Sequence, residues 1–514
     1  MRKLFAATAT LWFLSSCTEK KVEPPPQPPI VPQAAKVAPP PAAVKIEEIT
    51  VTTESPAALE AFNRGRAHAE LGRVPEAVVE FEKAARLDSK FAMALGYLGF
   101  FTTTAEGTAM LERAVTLAQA LPPNERLMVE HLRAWRQGDA ATLRAQRKQL
   151  AQQAPTDWRV HLLIGMGAQE ERHWLEAANA FQESIRLNPN AVPAYNLLGY
   201  ALMNQGKFEE AITTLTASTA KAPTEANSFD SLGEAQLRAG QSEAAEASFA
   251  KAYALSPKFW AAEVGVAQSR FLRGNWNGGR EALAAAQKAA ERPADKVEAA
   301  TFLVWSYLAE GRTDEALKAA TAMETQAKAS HQGLAYSTAP ILRGIAHNLA
   351  GDYAQSAREV PEAMDRLKKT GVQGDGLATL YRTALLWKLI AEVRQSKIKD
   401  AERTFTFLQK TVSMSISSES TSTRSHAAGM LSAARGEPKI ALQQLLECNE
   451  DDFLCRTELA SVQEQLGDTS AAEATRKTLV AANRREAAYL YARAIALGLK
   501  SEKKTAAVKP KTKK

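Results

Sequence analysis

At 514 residues the chain is longer than one compact hydrophobic core usually serves, so it divides into domains or stacks repeats, which carry no such limit. Alanine is plentiful, aromatic residues make up only 7%, and runs of β-branched residues are missing, which predicts an all-α fold and excludes an all-β one. The formal charge of +7 sits at the two ends, on Arg2, Lys3 and the six lysines set against Glu502 in residues 501–514, and the near-neutral body excludes a nucleic-acid-binding surface.

In chain order, Arg2 and Lys3 precede an apolar run from Leu4 to Leu14 and the box Leu14-Ser15-Ser16-Cys17. Eleven apolar-biased residues are too few to span a bilayer, so the segment predicts an export signal and not a transmembrane helix. Leu-Ser-Ser-Cys resembles the bacterial lipoprotein signal, which implies that Cys17 is acylated; an ordinary secretory signal with an incidental cysteine is the alternative. Several acyl chains on one residue would anchor stably. By the same resemblance, Thr18 after the cysteine implies release to the outer membrane, facing the periplasm. Residues 18–55 predict a disordered linker, because nine of the eighteen residues from Pro24 to Pro41 are proline. At ~3.1 Å per residue such a spacer would reach about 120 Å.

Helical pairs begin near Pro56. Ala61 to Leu71 and Val74 to Leu87 form the first; the next starts at Phe91, loses about six residues around Thr102–Gly107, and has its second helix at Ala109 to Ala120. From Asn124 to Phe259 the chain repeats every 34 residues, marked by Pro155, Pro189, Pro223 and Pro257. Ile164-Gly165, Leu198-Gly199 and Leu232-Gly233 share one phase, as do Ala177, Ala211 and Ala245, and Phe181, Leu215 and Phe249. Gly138, Gly206 and Gly240 mark the turns. This order of residues resembles the tetratricopeptide repeat, a helix–turn–helix unit. The resemblance implies a right-handed α-solenoid of about twelve helix pairs, flanked by disordered termini, with a regular array over 56–259.

Beyond Phe259 the copies diverge but keep turn glycines at Gly274, Gly311, Gly351, Gly436 and Gly467. Leu377–Gln395 and Lys399–Thr411 predict a further pair, and residues 413–425 a loop and helix start. Residues 260–500 thus read as a divergent array ending in a helix, Ala482 to Leu497, that caps the open end of the stack. Residues 501–514 predict a disordered Lys-rich tail.

The resemblance also implies that the first helices line a concave groove. Carried over residue by residue, its positions fall on Met128, Leu132, Trp135 and Arg136; on Arg159, Leu162, Met166, Gln169 and Glu170; on Asn196, Tyr200, Met203 and Asn204; and on Asn227, Asp230, Glu234, Leu237 and Arg238. The family's Lys/Asn/Arg clamp for C-terminal carboxylates is absent, with Leu162 and Asp230 where its lysine belongs. An apolar and amide-rich groove suits an extended or helical protein segment, although each of these side chains could equally complete packing between helices.

Motifs for chemistry are missing. The seven histidines are scattered without a His-Glu-x-x-His, Gly206-Lys207 lacks the glycine and hydroxyl of a phosphate loop, and no Gly-x-Ser-x-Gly occurs. The sequence therefore predicts neither an enzyme nor a cofactor. Once Cys17 is lipidated, Cys448 and Cys455 remain; in an exported protein they predict a disulfide, with two buried free thiols the alternative. Zinc is disfavoured, since a thiolate site needs four ligands and no histidine is near in sequence. The function these features predict is a lipid-anchored scaffold that binds protein partners in assembling an envelope, secretion or pilus complex. The alternatives are a cell-wall (peptidoglycan) module, with weak contact through the Lys tail, and a signalling-associated adaptor.

Overall fold

The computed structural model describes residues 48–370, 375–413 and 418–499, so Cys17, most of the Pro-rich linker and the Lys-rich tail lie outside the described residues. Among those residues are 25 α-helices and no strand. They make twelve consecutive helix pairs and one further helix.

Two compact units divide between Lys207 and Phe208. The first holds α1 (Pro56–Glu70), α2 (Val74–Leu87), α3 (Ala92–Phe101), α4 (Ala105–Ala118), α5 (Pro123–Gln137), α6 (Ala140–Gln153), α7 (Trp158–Glu170), α8 (Trp174–Leu187) and α9 (Val192–Asn204). The second begins with α10 (Phe208–Lys221), α11 (Ala226–Arg238), α12 (Ser242–Leu255), α13 (Trp260–Leu272), α14 (Trp276–Ala289), α15 (Pro293–Ala309) and α16 (Thr313–Ala329). It continues through α17 (Gly333–Ala350), α18 (Tyr353–Lys369), α19 (Asp375–Arg394), α20 (Ile398–Ser413) and α21 (Ser418–Ala434). Last come α22 (Pro438–Leu446), α23 (Phe453–Gln465), α24 (Thr469–Ala481) and α25 (Ala487–Ala496).

What joins the two helices of a pair is a glycine facing a large apolar side chain sixteen residues later. A Cβ placed on Gly165 would sit 2.4 Å from the Phe181 ring, and one on Gly233 would sit 2.8 Å from Phe249. Gly65 meets Phe81, and Gly429 meets Leu445, in the same way. Phe81, Phe181 and Phe249 are completely buried, which only the missing side chain opposite allows. The pair α5/α6 replaces this lock with a polar one: His131 stands where the period calls for glycine, and Arg147 where it calls for the large apolar residue. Both are buried. Arg147 reaches Glu170 at 3.1 Å to balance its charge.

Helices that lie two apart in the chain and touch are odd-numbered among the described residues: α3 with α5, α7 with α9, α11 with α13, and onward to α21 with α23. First helices therefore form the inner layer of each unit and second helices the outer one. In each unit the inner layer lines a trough. The shortened second pair departs from its expected register: α4 starts at Ala105, four residues before the predicted Ala109. Its turn is only Thr102–Thr104, and it closes because Gly107 lets the carbonyl of Thr102 approach within 1.9 Å of where a Cβ would stand.

Two stability predictions follow from these locks. Gly165→Ala should lower unfolding free energy by about 2 kcal/mol, and Phe181→Leu in the same chain should recover part of that loss, as a double-mutant cycle in urea would read. Additive effects would show that the ring and the glycine do not meet. Burial, with the nearby Arg147 guanidinium second, pushes the His131 imidazole from 6.5 down to about 3. The unfolded chain takes up that proton near pH 6.5 and the folded one does not, so stability present above 6.5 is lost on acidification. The loss reaches about 2 kcal/mol by pH 5. Thermal melts of His131→Leu should show a correspondingly smaller drop between pH 7 and pH 5; an unchanged drop would contradict the assignment.

Candidate functional site

In the first unit the starts of the helix pairs already hold peptide. Residues 48–55, expected within the disordered linker, instead run extended across the starts of the helix pairs. The Ile49 amide donates to Asp157 Oδ2 at 2.9 Å. Thr52 is gripped twice by Glu125, its amide donating to Oε1 at 2.9 Å and its hydroxyl to Oε2 at 2.6 Å. The Thr53 hydroxyl donates to Asp88 Oδ2 at 2.5 Å. Ile49 and Val51 pack onto the apolar core of this unit. The correction has a physical cause: a stretch alternating Ile49, Val51 and two threonines, free of proline up to Ser55, can bury one edge and hydrogen-bond along the other.

Of the three receiving carboxylates two are buried, Glu125 fully and Asp157 with 1% exposure. Burial raises the Glu125 pKa, and the two bonds from Thr52 oppose that rise. Asp157 also caps α7 by accepting the Arg159 amide at 2.9 Å. Neither residue was among the predicted groove positions. In sequence Asp157 reads as an ordinary helix cap and Glu125 as a first-turn acid, and nothing local announces that their carboxylates face a distant segment.

The predicted groove residues of this unit scatter among roles. Trp135 packs between Phe100 and His131, with ring centroids 5.2 and 5.9 Å away. Arg136 donates to the carbonyls of Phe100 at 3.2 Å and Thr102 at 2.8 Å. The short α3 leaves its last carbonyls without intrahelical donors, and Arg136 takes them. Arg159 bonds Glu70 at 2.7 Å and lies over Trp158 at 4.4 Å. Gln169, Tyr200 and Met203 are buried and complete the packing of α7 and α9. Met166 and Asn196 are half-buried, and Asn204 is exposed with its amide donating to the Tyr200 carbonyl at 3.0 Å. Other carried-over positions of this unit also keep accessible surface, Glu170 as an exposed residue and Leu162 as a half-buried one.

The second unit's trough holds the chain's own carboxy-terminal segment. The helix expected to cap the stack is α25, and it lies against α15, α23 and α24. It cannot serve as a cap with one face in water, since Tyr489, Leu490, Tyr491, Ala492 and Ala494 are buried around its whole circumference. Leu490 and Ala494 join the core with Val264, Val266 and Phe302. Tyr491 packs near Trp305 at 6.0 Å. The segment leading into α25 is tied by charge: Arg485 meets Asp230 at 3.1 Å and Glu234 at 4.0 Å, donates to the Ala261 carbonyl, and covers the Phe249 ring at 5.0 Å. Gln268 donates to the Arg484 carbonyl at 2.7 Å, and Arg484 pairs with Asp451.

Asp230, Glu234 and Arg238, predicted as partner contacts, are thus brought together, but around a segment of the same chain. Burial raises the Glu234 carboxyl, and it lifts Asp451 to about 6 against the pull of Arg484. Burial, then Arg484, lowers Arg238 to about 10. Elsewhere in this unit a disulfide joins Cys448, just past α22, to Cys455 in α23. Beside it stand His426 and Asp452, the one group of three or more potential metal-ligating side chains (with Cys455) among the described residues.

Residues 162–226 match the family model described as tetratricopeptide repeat. No curated protein matches the chain. Among solved structures it is similar to a tetratricopeptide repeat protein from Parabacteroides merdae, at 11% identity and a TM-score of 0.34, over 63% of this chain and 98% of that one. PilW, described as a widely conserved type IV pilus biogenesis factor, is 19% identical with a TM-score of 0.33, over 39% and 89%. MamA from Desulfovibrio magneticus is 20% identical with a TM-score of 0.30, over 32% and 92%.

If Arg485 ties the segment down, Arg485→Ala leaves Asp230 buried without its cation and should cost on the order of 3 kcal/mol. Limited proteolysis should then cut near Ala482 faster than in the unaltered chain. Equal stability and equal cleavage would show that the charges do not hold it.

Proposed function

We infer that this tetratricopeptide-repeat protein works as a scaffold for other polypeptides, which it takes against the first helices of its pairs. One observation carries the reading: eight residues of the chain itself, 48–55, lie on the first unit in extended form. Two of their backbone amides, those of Ile49 and Thr52, are received by Asp157 and Glu125. Backbone recognition of this kind accepts many sequences, and flanking apolar contacts then select among them. The surface left beside it, with Met166, Asn196 and Asn204, offers one adaptable apolar side chain and two amides.

The place of action in this proposal is the periplasmic face of an outer membrane, held by acylated Cys17, and the task is assembly of an envelope, secretion or pilus complex. Support for the anchor is the sequence Leu14-Ser15-Ser16-Cys17 behind a charged start and a short apolar run. In a Gram-negative host, a photo-crosslinking residue at Asn204 of the full chain should yield a discrete polypeptide adduct, and radiolabelled palmitate should mark the unaltered chain but not Cys17→Ser. Absence of any adduct across Met166, Asn196 and Asn204 would overturn the scaffold reading, and equal palmitate labelling of both chains would overturn the anchor alone.

A further inference from the structure

His426 is buried to 1% exposure on α21, and among the described residues neither of its ring nitrogens has a hydrogen-bond partner. A buried imidazole without partners costs stability, so its setting calls for an explanation. Its Nδ1 lies 3.8 Å from Asp452 Oδ1. One ligand atom from each of His426, Asp452 and Cys455 can be chosen with all three within 4.8 Å of one another. The fourth group is Cys448, bonded to Cys455 with the two Cα atoms 6.5 Å apart.

We propose that His426, Cys448, Cys455 and Asp452 form a redox-gated site for a zinc-class divalent metal, with the disulfide as its closed state. The ligand set is two sulfurs, one imidazole and one carboxylate, which suits tetrahedral zinc and disfavours calcium or magnesium. Zinc bonds to such ligands at about 2.0–2.3 Å, so ligand atoms within a few ångströms of one another need only small side-chain movements. Supports for the outer groups are in place: the Ser422 hydroxyl donates to Asp452 Oδ2 at 2.8 Å, and the Cys455 amide donates to Oδ1 at 3.0 Å. Such bonds fix a carboxylate's orientation as second partners do in metal sites.

The disulfide excludes the metal because its sulfurs carry no thiolate charge. Opening it takes a dithiol reductant. Through a mixed disulfide the reductant's two thiols become a disulfide, and two electrons and two protons pass to Cys448 and Cys455. Metal binding then releases both thiol protons, leaving two thiolates, one carboxylate and a neutral imidazole around the cation. The sequence hides this site because His426 lies on a separate helix, 22 residues before Cys448.

Cobalt(II) added to the full-length protein reads the proposal directly. After treatment with a phosphine reductant, one equivalent of cobalt should give thiolate-to-cobalt charge transfer and intense tetrahedral d–d bands; the oxidised protein should give neither. His426→Ala should bind at least tenfold more weakly and lose d–d intensity. Reduced protein that takes up no cobalt, or a His426→Ala protein with unchanged affinity and spectrum, would overturn the site. Should that variant lose its helical circular dichroism, X-ray absorption of the zinc-loaded unaltered protein decides: two sulfurs with an imidazole supports the site, and a shell without imidazole rejects it.

Discussion

The contact between a glycine on one helix and a buried ring sixteen residues later governs how far apart the helices of a pair can sit. Gly165 with Phe181 and Gly233 with Phe249 leave no room for even a methyl group. A ring seated on bare backbone brings the axes close and gains dispersion contacts over its whole face. Each pair still exposes apolar surface that only the next pair can cover, so the lock within a pair leads to stacking between pairs. The first helices crowd together as a consequence, and the trough they line is a by-product of packing before it is a binding surface.

A surface lined by apolar and amide side chains gains from being covered by a free segment of the same chain tethered beside it. In the first unit an extended segment is received by buried carboxylates at the helix starts. In the second the segment is a helix, apolar around its circumference, with a charged lead-in. The two modes are the two by which such surfaces take polypeptide in general. Tethering raises the local concentration of each segment, so its contacts need not be individually strong. A partner entering the second unit therefore competes with α25, whereas the exposed part of α7 and α9 in the first is free of that competition.

Most of the architecture was legible in the amino-acid sequence, because the features that make helix pairs are local and periodic. Gly165, Ala177 and Phe181 recur in phase, and the turn glycines take the left-handed backbone conformation, Gly240 at φ 81° for example. What could not be read is long-range. Arg136 reaches back to carbonyls freed by a shortened helix, and Asp230 meets an arginine 255 residues away. Periodicity identifies which face of a helix is turned inward, but it carries no information about what comes to lie against that face. The same limit hid residues 48–55 and the histidine beside the disulfide, since in each case the decisive neighbour sits on a different element.

The most direct measurement of the account is amide hydrogen exchange of the intact chain, resolved at residues 48–55. Bonded to the buried carboxylates, the amides of Ile49 and Thr52 should exchange far more slowly than those of the flanking Glu48 and Thr50, and Glu125→Gln should accelerate Thr52 in particular. Exchange of all eight amides at the rate of an unstructured peptide would contradict the claim that the starts of these helix pairs hold polypeptide.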